Sequence, residues 1–132
     1  MSRKSWTMGM IIPLVAVAGL ATAPAASASG GVGDVRASGA CSATSHWKLK
    51  AKPDNGRIQL ELEIDTNRVG QTWAVRIADN SVGVFTGNRV TLAPSGSFTV
   101  RLLTANRAGV DHFVGTARNT LTGETCTAGV NL

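Results

Sequence analysis

From residue 47 onward the chain alternates apolar and polar positions with a period of two. In Trp47-Lys48-Leu49-Lys50-Ala51-Lys52 the apolar side chains fall on odd positions, and in Ile58-Gln59-Leu60-Glu61-Leu62-Glu63-Ile64-Asp65 they fall on even ones. Successive side chains of a strand point to opposite faces, so each run predicts a strand with one buried and one wet face. Pro53-Asp54-Asn55-Gly56 separates them, with proline presetting φ and Asn-Gly accepting positive φ, which predicts a four-residue hairpin loop. Pairing Lys52 with Arg57 then sets Trp47 opposite Leu62, Leu49 opposite Leu60, Lys48 opposite Glu61 and His46 opposite Glu63. Both faces agree with this one register, and a one-residue slip would bring lysines against leucines.

The same period continues. Thr72 to Ile77 places Trp73, Val75 and Ile77 on one face, and Asp79-Asn80-Ser81 turns the chain into Val82 to Arg89. Gly96-Ser97 opens a strand with Phe98, Val100 and Leu102 inward, Asn106-Arg107-Ala108-Gly109 turns into Val110 to Arg118, and Thr125 to Leu132 brings Cys126, Ala128 and Val130 into phase. No segment after residue 34 carries a helical period. Short strands every 8 to 14 residues, with glycine and proline at the turns, predict an all-β antiparallel sandwich.

Ahead of this domain the chain has a different character. Arg3 and Lys4 precede an almost wholly apolar run from Met8 to Ala23, and Ala26-Ser27-Ala28 has the small-x-small form that signal peptidase accepts. The expected organisation is a signal peptide over residues 1–28, a flexible mature N-terminus over 29–34 and one domain over 35–132. Export changes the charge picture, because the leader holds 2 of the 13 basic residues and leaves 11 against 8 acidic ones. An excess that small, with no Lys/Arg run, describes a solvated surface rather than a nucleic-acid footprint. The expectation is a secreted, extracellular protein with no membrane attachment after cleavage. In an oxidising compartment an even cysteine count predicts pairing, and Cys41 and Cys126 can pair in only one way.

The order of first hairpin, tryptophan-bearing third strand, short fourth strand, Gly96-Ser97-Phe98-Thr99-Val100 and closing hairpin resembles the fibronectin type III and related immunoglobulin-like sandwiches over residues 35–132. That resemblance implies about seven strands after a preliminary segment, Val35 to Cys41. It places the first two strands with Phe98 to Leu103 in one sheet and Trp73, Val84, Phe113 and Ala128 in the other. The missing tyrosine departs from antibody-type domains. At a finer level Trp47-Lys48-Leu49-Lys50, Gly70-Gln71-Thr72-Trp73, Ala93 to Val100 and Ala117 to Cys126 resemble small secreted actinobacterial, streptomycete-type proteins without assigned activity.

Catalytic chemistry finds little footing. His46 and His112 are the only histidines and have no metal or triad spacing, and Asp111 beside His112 should point to the opposite face of a strand. Asp54-Asn55-Gly56 and Asp79-Asn80-Ser81 resemble fragments of calcium loops but supply too few oxygens, so turn chemistry accounts for them. Trp47 and Trp73 lie in phase with the core, against a sugar-stacking role. No cofactor, metal or catalytic residue is expected.

The two outer faces differ. The first carries Lys48, Lys50, Lys52, Glu61 and Glu63, whereas the second offers Ala74, Arg76, Ala78, Val114, Thr116 and Arg118, short of the charge that keeps a sheet solitary. A binding surface is therefore expected on that face or on the loops Asn67 to Gly70 and Asn119 to Glu124 at one end, comprising Arg68, Arg76, Arg118, Asn119 and Leu121. The functional expectation is a secreted, non-catalytic binding or interaction module for an unknown extracellular protein or cell-wall partner. An extracellular protease or hydrolase inhibitor and a small-ligand carrier are the alternatives.

Overall fold

A computed structural model describes residues 33–132; the leader, its cleavage after Ala28 and residues 29–32 of the expected flexible segment lie outside the described residues. Eight strands fill the described chain: β1 (Val35–Ala40), β2 (His46–Asp54), β3 (Arg57–Asp65), β4 (Thr72–Asp79), β5 (Val82–Val90), β6 (Ser97–Ala105), β7 (His112–Asn119) and β8 (Thr125–Asn131). They form two antiparallel four-stranded sheets, ordered β1-β2-β3-β6 and β5-β4-β7-β8, packed as a sandwich. The preliminary segment is thus a full edge strand, and the count is eight rather than seven. Asp34, placed by sequence in the flexible tail, lies 3.8 Å from Lys50 Nζ.

The first hairpin has the expected faces and a different register. Asp54 pairs with Arg57, so Leu49 faces Leu62, Lys48 faces Glu63, Trp47 faces Ile64 and His46 faces Asp65. The loop is Asn55-Gly56 alone, with φ of 48° and 78°. Two residues in left-handed geometry twist in the sense of the flanking strands, so this turn wins over a four-residue loop and moves the register by two. An even shift keeps every side chain on its face. In such a hairpin the residues flanking the turn exchange hydrogen bonds, so the missing N–H of Pro53 points away from β3. On that side β1 has already ended, its last pair being Val35 with Ala51.

The interior is built from the inward positions of both sheets, with Leu49, Ile58, Leu60, Leu62 and Ile64 meeting Trp73, Ile77 and Phe113 at 0–1% exposure. Trp47 is only half-buried: its indole lies across Gly39 on β1, where an added Cβ would come within 2.8 Å of the ring nitrogen. A bulge opposite Ile77/Ala78 bends β4 and β5, and Asn80-Ser81, with φ of 47° and 71°, closes their hairpin. Both Asp-Asn loops therefore act as turns.

Cys41 and Cys126 are bonded across a sequence separation of 85, tying the end of β1 to β8 and so joining the two sheets along one edge. The bond fits an oxidising environment. Among the described residues no helix is long and apolar enough to cross a membrane.

Candidate binding surface

Antiparallel pairing decides which loops meet. Ala40 pairs with His46, His46 with Asp65, and Asp65 with Ser97 in the first sheet; Thr72 pairs with Val90, Trp73 with Asn119 and Arg118 with Thr125 in the second. Residues 41–45, 66–71, 91–96 and 120–124 therefore lie at one end. The loops holding Arg68 and Leu121 come together as expected, and two further loops join them.

Hydrogen bonds brace this end from below. Thr91, fully buried, donates its hydroxyl to Arg68 O at 2.5 Å and accepts from Gln71 N at 2.9 Å. Thr66 donates to Gly96 O at 2.8 Å and accepts from Arg68 N at 3.0 Å. Gly96 has φ +70° and lies so close beneath that segment that a Cβ would sit 2.2 Å from Arg68 N, so only glycine fits.

On the other side Glu124 works as a clamp. Its carboxylate accepts from Ala43 N at 3.0 Å, Ser45 N at 2.9 Å and Ser45 Oγ at 2.8 Å, across some eighty positions of sequence. Burial opposes its charge, but the hydrogen bonds from Ser45 and Ala43, with the positive Arg68 nearby, outweigh it and hold the carboxyl below its ordinary pKa.

Held up by this frame are Val69 at 59%, Leu92 at 63% and Leu121 at 92% exposure. Between the loops lies a recess of about 430 Å³ lined by Thr44, Thr66, Arg68, Gln71 and Glu124 among others. Asn119 departs from its expected place on the surface. It is 2% exposed and spends its side-chain oxygen on Leu121 N at 2.9 Å and Thr122 N at 3.1 Å, so it shapes the loop that presents Leu121. An Asx turn at the end of an alternating strand was the available signal.

Arg76 and Arg118 share the outer face of the second sheet, offset by two residues because Arg76 pairs with Thr116 and Arg118 with Ala74. Neither has an acidic partner within 4.0 Å among the described residues. The first sheet is compensated instead, by Arg101 with Glu61 at 2.9 Å and Lys48 with Glu63 at 3.9 Å. A shallow depression of about 370 Å³ runs beside Arg76, Ala78, Val114 and Thr116.

The opposite end holds a pair that alternation did not reveal. Asp79 and Asp111 are 0% and 1% exposed, with Arg107 Nε 3.4 Å from Asp79 Oδ2 and Arg107 N donating to Asp111 Oδ1 at 3.1 Å. Neither oxygen of Asp79 receives a hydrogen bond from another residue's N–H or hydroxyl group. Burial, then the hydrogen bond and charge of Asp111, push the Asp79 carboxyl up to about 6 against the pull of Arg107 and His112. A proton on Asp79, which its burial favours, would be donated toward Asp111. Both side chains are shut from solvent.

His112 is exposed while Asp111 is buried, as their opposite faces required, and His112 Nδ1 lies 2.6 Å from Asn131 Oδ1. His46 pairs with Asp65, not Glu63. Among the described residues no group of three or more His, Cys, Asp or Glu side chains is arranged to hold a metal ion. Comparison with protein-family models, with curated proteins and with solved structures found no match.

Proposed function

We propose that this chain is a secreted, non-catalytic binding module that engages an extracellular protein or cell-wall partner through its braced loop end, with Arg76 and Arg118 on the adjoining face as secondary contacts. The observation that carries the reading is the presentation of Val69, Leu92 and Leu121 to solvent on loops fixed by buried hydrogen bonds. Apolar side chains on a preorganised frame lose little conformational freedom on association, and the fully buried core of an interface is more apolar than its rim. The leader from Arg3 to Ala28 and the single disulfide support export. Strand order β2-β3-β6 against β5-β4-β7-β8, with β1 added at one edge, supports the immunoglobulin-like, fibronectin type III-like reading of the sandwich. A carrier of small ligands would need space between the sheets, and that space is filled by Trp73, Phe113 and the leucines of β3.

A photo-crosslinking residue at Leu121, expressed in the native host and analysed by mass spectrometry of culture fluid and cell wall, tests the proposal. A discrete adduct is expected, lost when Val69 and Leu92 are both changed to Asp. An adduct pattern equal to that from a crosslinker at Asn55, at the far end, would sink it.

A further inference from the structure

We propose that the recess between the loops at this end, lined by Arg68, Gln71 and Glu124, is a pocket for the side-chain carboxylate of an Asp or Glu in the partner polypeptide, with Arg68 as its anchor. The proposal rests on the binding reading above and supplies the chemistry of what is bound.

Most polar groups that line the recess are paired within the fold. Both Glu124 oxygens accept from the 41–45 loop, Ser42 Oγ accepts from Thr125 N, Thr122 Oγ1 accepts from Glu124 N, and Gln71 Oε1 accepts from Trp73 Nε1. The lining's side-chain acceptors are thus largely committed. Among the described residues the Arg68 guanidinium has no hydrogen bond and no acidic oxygen within 4.0 Å, and the amide nitrogen of Gln71 has no acceptor. Arg68 thus brings a planar fork of N–H donors to the lining and Gln71 an amide donor, along with the hydroxyls of Ser42, Thr44 and Thr122. Such a set is complementary to an acceptor with two oxygens in one plane.

Charge narrows the choice. Arg68 is close enough to act on the Glu124 carboxyl, so the field in the recess is that of one cation beside one fixed anion. A carboxylate, with two oxygens in one plane, matches the fork bidentately, while the second charge of a phosphate dianion raises its repulsion from Glu124 along with its attraction to Arg68 and so brings no net advantage. A chain-terminal carboxylate ordinarily takes its donors from a nest of backbone N–H groups. Here the N–H groups of Ala43 and Ser45 are already bound to Glu124, which leaves the side-chain source. The exposed Leu121 and Val69, on loops that bound this end, would favour apolar neighbours of the acid, which a free small acid does not bring.

The test is an NMR titration of the isotopically labelled, disulfide-intact secreted product with three capped tripeptides at millimolar concentration: acetyl-Leu-Glu-Leu-amide, acetyl-Leu-Gln-Leu-amide and acetyl-Leu-Gly-Leu with a free carboxylate. Inorganic phosphate is a fourth arm. The Glu peptide should shift the Arg68 Nε–H and Gln71 side-chain amide signals and bind about tenfold more tightly than the Gln peptide, the worth of one charge-assisted contact at a partly exposed site. Arg68→Gln should erase that preference and Arg68→Lys should keep part of it, with all other amide signals unmoved. Equal affinity of the Glu and Gln peptides, with both shifting Leu121 and Val69, would overturn the carboxylate pocket while leaving the binding reading intact. Tighter binding of the free-carboxylate peptide or of phosphate would overturn the side-chain assignment. Absence of any shift at the loop end would overturn the pocket outright.

Discussion

Replacing Asp79 with Asn should make the protein more stable at neutral pH, contrary to the usual cost of altering a fully buried residue. The fold holds the Asp79 carboxyl at about 6 against 3.8 for an ordinary aspartate, so the native state favours the protonated form. An acid whose pKa rises on folding contributes stability fully below its unfolded pKa and loses it as pH climbs through the folded value. At 1.36 kcal/mol per unit, the native protein should lose about 3 kcal/mol between pH 3 and pH 7 from this group. Asparagine keeps the shape, carries no charge and can donate its amide hydrogen to Asp111 in place of the carboxyl proton. Arg107, 41% exposed in its side chain, returns to water at little cost. The variant should therefore gain on the order of 2 kcal/mol over the native chain at pH 7.5, roughly 10 °C in Tm for a domain of this size, and the two should converge near pH 4.5. Thermal and urea unfolding of both proteins at half-unit steps of pH, disulfide intact, measures this. A native stability that rises steadily from pH 4.5 to 7.5, or a variant less stable than native at pH 7.5, would refute the account of a protonated Asp79.

Three other outcomes follow. Glu124→Ala should destabilise by about 1–3 kcal/mol by orphaning the Ala43 and Ser45 N–H groups, and because Glu124 is held below its ordinary pKa its contribution is present above the unfolded value and lost as pH falls; the difference from native in urea unfolding should shrink below pH 4. Gly96→Ala, with its Cβ driven against the Arg68 backbone, should cost about 2 kcal/mol or more and broaden amide signals of residues 66–71, with the opposite end unmoved. Changing both Cys41 and Cys126 to Ser should cost about 4–5 kcal/mol through the freedom restored to an 85-residue loop, read as a drop in the urea midpoint.

Much of this architecture is legible in the order of residues. Period-two alternation located β2, β3, β4 and β6 because each strand has one face in the core and one in water, and the burial of Leu49, Leu60 and Val75 follows that parity. Register was harder, since a shift of two preserves every face and only the geometry of Asn55-Gly56 selects between the choices. The loops of Arg68 and Leu121 were placed at one end from topology alone. The depth of Asn119 was not foreseen, because a polar residue at a strand end reads as exposed until its carboxamide is seen spent on the Leu121 and Thr122 N–H groups. Asp79 and Asp111 stayed hidden for a related reason. They are 32 positions apart, each beside turn residues that explain a lone aspartate, and only the pairing of β4 with β7 brings them together.

The sulfur bridge has a further consequence for how any partner is met. Cys41 opens one of the four loops at the presenting end, and Cys126 lies two positions beyond the Glu124 clamp of another. The bridge thus restrains the 41–45 and 120–124 loops in the free protein, which under the binding proposal lowers the ordering entropy spent on association. Under the same proposal, reducing the bridge should weaken partner binding as well as stability.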